Sequence, residues 1–403
     1  MNILIADKFE ASGIEDLQAC GCAVICDPEL SAENLPAAVA EQDPDVLIVR
    51  STKVPEPVFA VAKNLSLVIR AGAGYDNINV AAASARGVFV ANCPGKNAIA
   101  VAEIAWGLIL CCDRRIPDQT IDLRQGVWNK KEYAKARGLY GRTLGIIGLG
   151  RIGREIAARG KAFGMNVIGW SRSLTQETAD ELGIGYCSSA INLAKMSDVV
   201  SVNLAATPET RHFINESFCK SMKDGATLIN TSRGSVVDEA ALAKAIREKG
   251  LRAGLDVYAD QPSPSDHKIT NAIVNEPNVY GTHHCGASTD QSQLAIAAET
   301  VRIVKVYAST GVVPNCVNRA ASTPATTLLT VRHLNRPGVL AHVFYTLGQA
   351  GINVEEMENI IYEGAEAACA RIQLDDAPSD DIITAIRGNE YVLSVSSANI
   401  PSP

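Results

Sequence analysis

Residues 143–153 read TLGIIGLGRIG, and REIAARGKAFG follows them directly. An apolar run, a turn of three glycines and an amphipathic run in succession admit few folds. The spacing predicts a strand, a tight turn and a helix whose N-terminus faces back over that turn. Such an N-terminus presents backbone N–H groups and the positive end of the helix dipole, which together suit a pyrophosphate. The stretch therefore predicts a parallel α/β sheet that holds a dinucleotide, with Gly148, Gly150, Arg151, Ile152 and Gly153 at the phosphates. A tight turn in a nucleotide-free α/β domain is the competing reading.

The rest of the chain supports alternating strands and helices. Before the glycine turn, NILIA (2–6), DVLIVR (45–50), LSLVIR (65–70) and GVFVAN (87–92) read as buried strands, and segments between them, such as PEPVFAVAKN (55–64), as helices. After it, strands are expected at 143–147, 166–170, 198–202, 226–230, 252–257 and 278–281, and a Gly/Pro/Ser-rich loop at 260–266. AIAVAEIAWGLILCC (98–112) contains Glu103 and is short for a bilayer span, so it reads as a buried helix. Beyond a linker at 319–326 the order becomes βαββαβ, which suggests a small ferredoxin-like domain.

A chain of 403 residues exceeds what one core usually fills, so several domains are expected. The net charge of -7, with no basic run, argues against nucleic acid, and nothing suggests a membrane partner. Asp7 interrupts the first apolar run, which reads as a strand and not a signal peptide. Eleven scattered cysteines without a C-x-x-C pair read as reduced thiols in a cytoplasmic protein. Cys20, Cys22 and Cys26 lack paired histidines, and no metal site is expected.

The second strand of a dinucleotide fold usually ends in Asp or Glu, which grips a ribose hydroxyl. Here the strand ends in Ser171 and Arg172. A serine removes repulsion of a 2′-phosphate, and an arginine can pair with one. The cofactor is expected to be NAD or NADP, with NADP favoured. An Arg172 that stacks on adenine or faces solvent would leave the site tolerant of NAD.

With the glycine turn, RAGAGYDNIN (70–79), NTSRG (230–234), AGLDVY (253–258) and HHCGAST (283–289) resemble the D-2-hydroxyacid dehydrogenase family, in order over about the first 318 residues. HLNRPG (333–338) and AGINV (350–354) resemble a regulatory ACT domain. The resemblance implies two doubly wound parallel-sheet domains plus a ferredoxin-like ACT domain. A substrate-binding domain (1–97 and 286–318) would be interrupted by a Rossmann nucleotide domain (98–285), with the ACT domain at 325–403.

It also implies the chemistry. Oxidising a secondary alcohol needs a base for the hydroxyl proton, and histidine suits that near neutral pH. His284 takes the catalytic position, Arg233 the substrate carboxylate, and Asp256 belongs with the cofactor. Relatives carry Glu before Pro where DVYADQP (256–262) has Gln261, which can orient the imidazole but adds no charge. Asp260 could substitute through a local shift, or the protein could be impaired or repurposed. The backbone at Ala73 and Gly74 would join Arg233 on the carboxylate, while Arg50 and Arg70 would approach a phosphate.

Family members with such a tail oxidise a phosphorylated 2-hydroxy acid. His333, Asn335 and Asn353 match positions that hold L-serine as an effector, and a homo-dimer or homo-tetramer is expected. A glyoxylate or hydroxypyruvate reductase fits Ser171 and Arg172 well, and a nucleotide-sensing binding protein of the same fold is the non-enzymatic alternative.

Overall fold

In the computed structural model, which describes residues 1–262 and 268–400, the apolar runs assemble into three sheets. The first holds β1 (Asn2–Ile5), β2 (Ala23–Cys26), β3 (Val46–Val49), β4 (Leu67–Arg70) and β5 (Phe89–Asn92), all parallel, in the order β2-β1-β3-β4-β5. The second holds β6 (Thr143–Ile147), β7 (Asn166–Trp170), β8 (Gly185–Tyr186), β9 (Val199–Val202), β10 (Thr227–Asn230), β11 (Arg252–Leu255) and β12 (Val279–Gly281). Its order, β12-β11-β10-β9-β6-β7-β8, is the doubly wound dinucleotide arrangement with one strand added. Central strands such as β3 and β10 are buried at every position, which explains their unbroken apolar or small-polar character. Of the loop expected at 260–266, residues 263–266 lie outside the described residues.

The chain divides into two compact units, Met1–Asn318 and Arg319–Pro403. Within the first, helix Ala98–Arg114 is apolar on most of its surface and packs into the core of the second sheet. Helix Asp290–Thr310 starts with Thr289 capping the Ser292 N–H and stops at Gly311, whose φ of 72° closes the last turn. Its Ile296, Val301, Ile303 and Val304 pack with Ile3 and Ile5 of the first sheet and Leu17 of helix Ala11–Ala19. Asn318 then accepts from the Val90 N–H at 2.8 Å. Residues 290–318 thus complete the N-terminal core, some 200 residues away in sequence from most of it.

The second unit has an antiparallel sheet of β13 (Thr327–Leu334), β14 (Val354–Ile361), β15 (Ala367–Leu374) and β16 (Val392–Asn399), in the order β14-β15-β13-β16. Helices Val339–Gln349 and Asp380–Arg387 join the strands in βαββαβ sequence, a ferredoxin-like topology. Leu329, Val331, Val343, Leu347, Ile372 and Ile386 form its core.

Candidate functional site

The candidate residues of the first unit follow the C-terminal ends of strands, where open parallel sheets bind ligands. Arg50 follows β3, Arg70 ends β4, Gly148 follows β6, Ser171 follows β7, and Arg233 and Asp256 follow β10 and β11.

The glycine turn has the form a phosphate cradle requires. Gly148 has a φ of 88°, and a Cβ there would lie 2.6 Å from the Asn203 carbonyl oxygen. A Cβ on Gly153 would lie 2.1 Å from the Gly148 carbonyl oxygen, so only glycine lets helix Arg151–Ala162 start against its strand. Arg151 donates to the Pro94 carbonyl, and Ile152 is half-buried on the first turn of that helix. Three buried polar atoms lack a partner among the described residues: Asn203 Oδ1 and Thr231 Oγ1, just after β9 and β10, and Asn97 Oδ1, at the start of helix Ala98–Arg114. Unsatisfied buried acceptors and hydroxyls call for a ligand or water, and a dinucleotide in this crevice fits them. Sequence reading missed all three, because an Asn or Thr after a strand also reads as ordinary turn chemistry.

NTSRG forms a self-bonded loop. Asn230 Oδ1 accepts from the Ser232 N–H and hydroxyl, and its Nδ2 donates to the Arg233 carbonyl at 2.9 Å. Gly234 sits against the main chain of Tyr258, where a Cβ would lie 2.0 Å from the carbonyl carbon. Arg233 is thereby aimed across the cleft at the loop after β4. There its Nε and Nη2 donate to Asp76, the latter at 2.9 Å. Its guanidinium lies so close to Gly74 that a Cβ would sit 2.1 Å from Nη2. Among the described residues, the Ala73 and Gly74 N–H groups beside it have no backbone acceptor.

Arg70 packs over Gly72 with its Nε buried and unpaired. Burial, then the neighbouring charge of Arg233, with a smaller push from Arg50, lower the Arg70 pKa to about 10. Arg50 is placed by Asp7, whose carboxylate accepts the N–H groups of Arg50, Ser51 and Thr52 at 2.7–3.1 Å. The charges of Arg233 and Arg50 thus bear on Arg70, and Asp76 offsets them in part.

His284 has a φ of 53°, a left-handed conformation that a non-glycine residue adopts only under constraint. The constraint is Asp256, which is buried. Its carboxylate accepts from the Thr282 hydroxyl at 2.5 Å, the Cys285 N–H at 3.0 Å and the Gly286 N–H at 2.9 Å. Asp256, expected at the cofactor, gives both oxygens to the histidine loop. His284 Nδ1 lies 2.9 Å from Gln261 Oε1, so Gln261 and not Asp260 is the side chain that reaches the imidazole. With Nδ1–H donated to that oxygen, Nε2 keeps its lone pair for the cleft. Burial, then the charge of Arg233, hold the His284 pKa below the ordinary imidazole value.

In the C-terminal unit the expected effector residues do not converge. His333 is buried, with Nδ1 2.8 Å from the Leu334 carbonyl and Nε2 3.2 Å from Asn359 Oδ1, so both nitrogens are engaged. Asn335 donates to the Ala365 carbonyl, and Asn353 to Glu355. Through β15, His333 is level with Ala368 and Ile361, whereas Val354, next to Asn353, is level with Leu374 and Thr327. At about 3.3 Å per residue, the two ends lie roughly 20 Å apart. One copy of this unit does not bring the three residues around one amino acid.

This fold and its glycine cradle define a dinucleotide-binding architecture, and the chain belongs to the D-isomer-specific 2-hydroxyacid dehydrogenase family. The model of that family's NAD binding domain matches residues 106–286. A D-3-phosphoglycerate dehydrogenase of Methanocaldococcus jannaschii is 40% identical over 309 residues, which are 75% of this chain and 57% of that protein. The chain thus spans little more than half the length of that relative. A hydroxypyruvate reductase of Thermotoga maritima is 41% identical over 270 residues, covering 66% of this chain and 85% of that one. Among solved structures, the NADPH-dependent glyoxylate/hydroxypyruvate reductase of Sinorhizobium meliloti, in complex with NADP and malonate, matches with a TM-score of 0.69 and 30% identity. That match covers 80% of this chain and 99% of the other.

Proposed function

We propose that the protein oxidises 3-phospho-D-glycerate to 3-phosphohydroxypyruvate, the step that opens phosphorylated serine synthesis. The observation that carries the substrate class is the arginine cluster. Arg70 holds a buried Nε with no partner among the described residues, and the like charges of Arg233 and Arg50 bear on it. A substrate with both a carboxylate and a phosphate supplies the missing charge, whereas a lactate supplies only part of it.

In this reading, the free N–H groups of Ala73 and Gly74 and the open edge of Arg233 hold the carboxylate. Arg50 and Arg70 hold the phosphate. The nicotinamide, when bound over the glycine cradle, accepts the hydride from C2. His284 Nε2 takes the hydroxyl proton, and Gln261 stabilises the working tautomer by accepting the Nδ1–H. Because the His284 pKa is lowered, the base is already neutral below the usual imidazole midpoint. The reverse reduction needs the protonated ring and fades as pH rises through that lowered pKa.

Serine control would require a second copy, since one C-terminal unit separates Asn353 from His333 and Asn335. A homo-oligomer also suits helix Ile116–Arg124, which buries no residue and leaves Ile116, Ile121 and Leu123 exposed near the exposed Trp128.

The test is an assay of NAD and NADP, each against 3-phospho-D-glycerate, D-glycerate and D-lactate, with and without L-serine. The expected result is a kcat/KM for the phosphorylated acid well above the others. Equal rates on all three would refute the substrate class. No turnover on any of them would favour a nucleotide sensor.

A glyoxylate or hydroxypyruvate reductase is the second reading, supported by Ser171 and Arg172 after β7 and by likeness to the two reductases. Ser171 is half-buried and Arg172 exposed, with its charge also felt by Glu209. We infer a preference for NADP from these two residues. Ser171→Asp should lower the NADP/NAD ratio of kcat/KM by about tenfold or more, through repulsion of the 2′-phosphate. A ratio that does not fall would remove the inference.

A further inference from the structure

Arg233 reaches Asp76 across the cleft, 157 residues away in sequence, with the side-on edge of its guanidinium. Nε lies 3.1 and 3.2 Å from the two carboxylate oxygens, and Nη2 lies 2.9 Å from one. Nη1 donates back to the Ser232 carbonyl at 2.8 Å. These bonds fix the guanidinium plane and leave its outer edge open beside Gly74. The Asp76 carboxyl is resisted by burial, but its bonds and charge pairing with Arg233 outweigh that and hold it below the ordinary carboxylate range.

The charged and titratable groups facing His284 come from both sheets. Arg70 and Asp76 belong to the first, and Arg233 and Asp256 to the second. His283 and Cys285 flank the ring on its own loop. Gln261, its hydrogen-bond partner, is neutral. Asp256 and Asp76 are the groups that favour the imidazolium. Asp256 acts the more strongly of the two, from the histidine's own sheet and while bonded to the loop backbone and the Thr282 hydroxyl; Asp76 adds to it from the opposite wall.

We propose that Asp76 is a positioning residue for the oxidation assigned above, on which this inference rests: it fixes the plane of Arg233 and supplies from across the cleft the negative charge that residue 261 lacks. Asp76 is half-exposed, so its charge acts through partial solvent screening.

The test is a set of three full-length variants, Asp76→Asn, Gln261→Glu and the double variant, assayed for oxidation across pH with dinucleotide affinity measured on the same samples. Asp76→Asn should lower kcat/KM about 10- to 100-fold by loosening Arg233. It should also move the acid limb down by about half to one pH unit. Gln261→Glu alone should move that limb up by about one unit, because a carboxylate on Nδ1 favours the imidazolium. The double variant should recover the wild-type midpoint without recovering kcat/KM, since only the charge has been replaced. An unmoved midpoint in Asp76→Asn, or no recovery in the double variant, would overturn the proposal. If Asp76→Asn does not fold, Asp76→Glu replaces it, with a retained midpoint and a raised KM expected. A midpoint moved by that charge-conserving change would overturn the idea equally. Wild-type protein inactive on every hydroxy acid would instead remove the parent reading.

Discussion

His284→Asn is expected to lower kcat for hydroxyacid oxidation by about 10²–10⁴-fold, the usual share of a general base. Asparagine is the informative replacement for a structural reason. It tolerates the left-handed backbone that His284 adopts, which alanine does only with strain. Its amide can still bond Gln261, but it cannot take a proton at neutral pH. The Asp256 bonds to Cys285 and Gly286 use the backbone and survive the change. Dinucleotide affinity by fluorescence titration should therefore stay within about twofold. A variant that keeps its kcat would show that the base lies elsewhere.

Arg70→Met should raise KM for 3-phospho-D-glycerate by about 100-fold, while KM for D-glycerate changes by about twofold or less. A charge-assisted bond to phosphate is worth roughly 1.5–3 kcal/mol, which corresponds to that range. Methionine keeps the aliphatic volume over Gly72 and removes the charge. The same change removes the burial of a charge and its repulsion by Arg233, the two main causes that lower the Arg70 pKa, so fold stability should not suffer. Equal losses with both substrates would mean that Arg70 acts on the shared carboxylate, or on the packing, and not on the phosphate.

Much of the architecture was legible because the physics is local. The strands 143–147 and 166–170 occur where the apolar runs placed them, and the turn glycines are needed for contacts within a few residues of themselves. The βαββαβ order of the last unit followed from alternation and the NRPG turn. The site was less legible because its bonds cross the chain. Nothing near Asp76 announces that it binds Arg233. Asp256 read as a cofactor residue because its motif precedes the histidine by almost 30 residues, and only the folded loop shows its oxygens turned onto residues 282–286. The tail was illegible in a different way. His333, Asn335 and Asn353 matched a pattern by position, but strand register sets the first two and the third at opposite ends of one sheet.

The Asp256 clamp has a consequence for how this site can change over evolutionary time. The place of His284 is held by main-chain bonds to one buried carboxylate, while its charge is tuned by residue 261. The place of the ring and the partner of its Nδ1 thus rest on different residues. A lineage can exchange an acid for an amide at 261, and so shift the pH at which the protein works, without dislodging the base. Variation at 256 has no such freedom, because the loop bonds depend on its carboxylate.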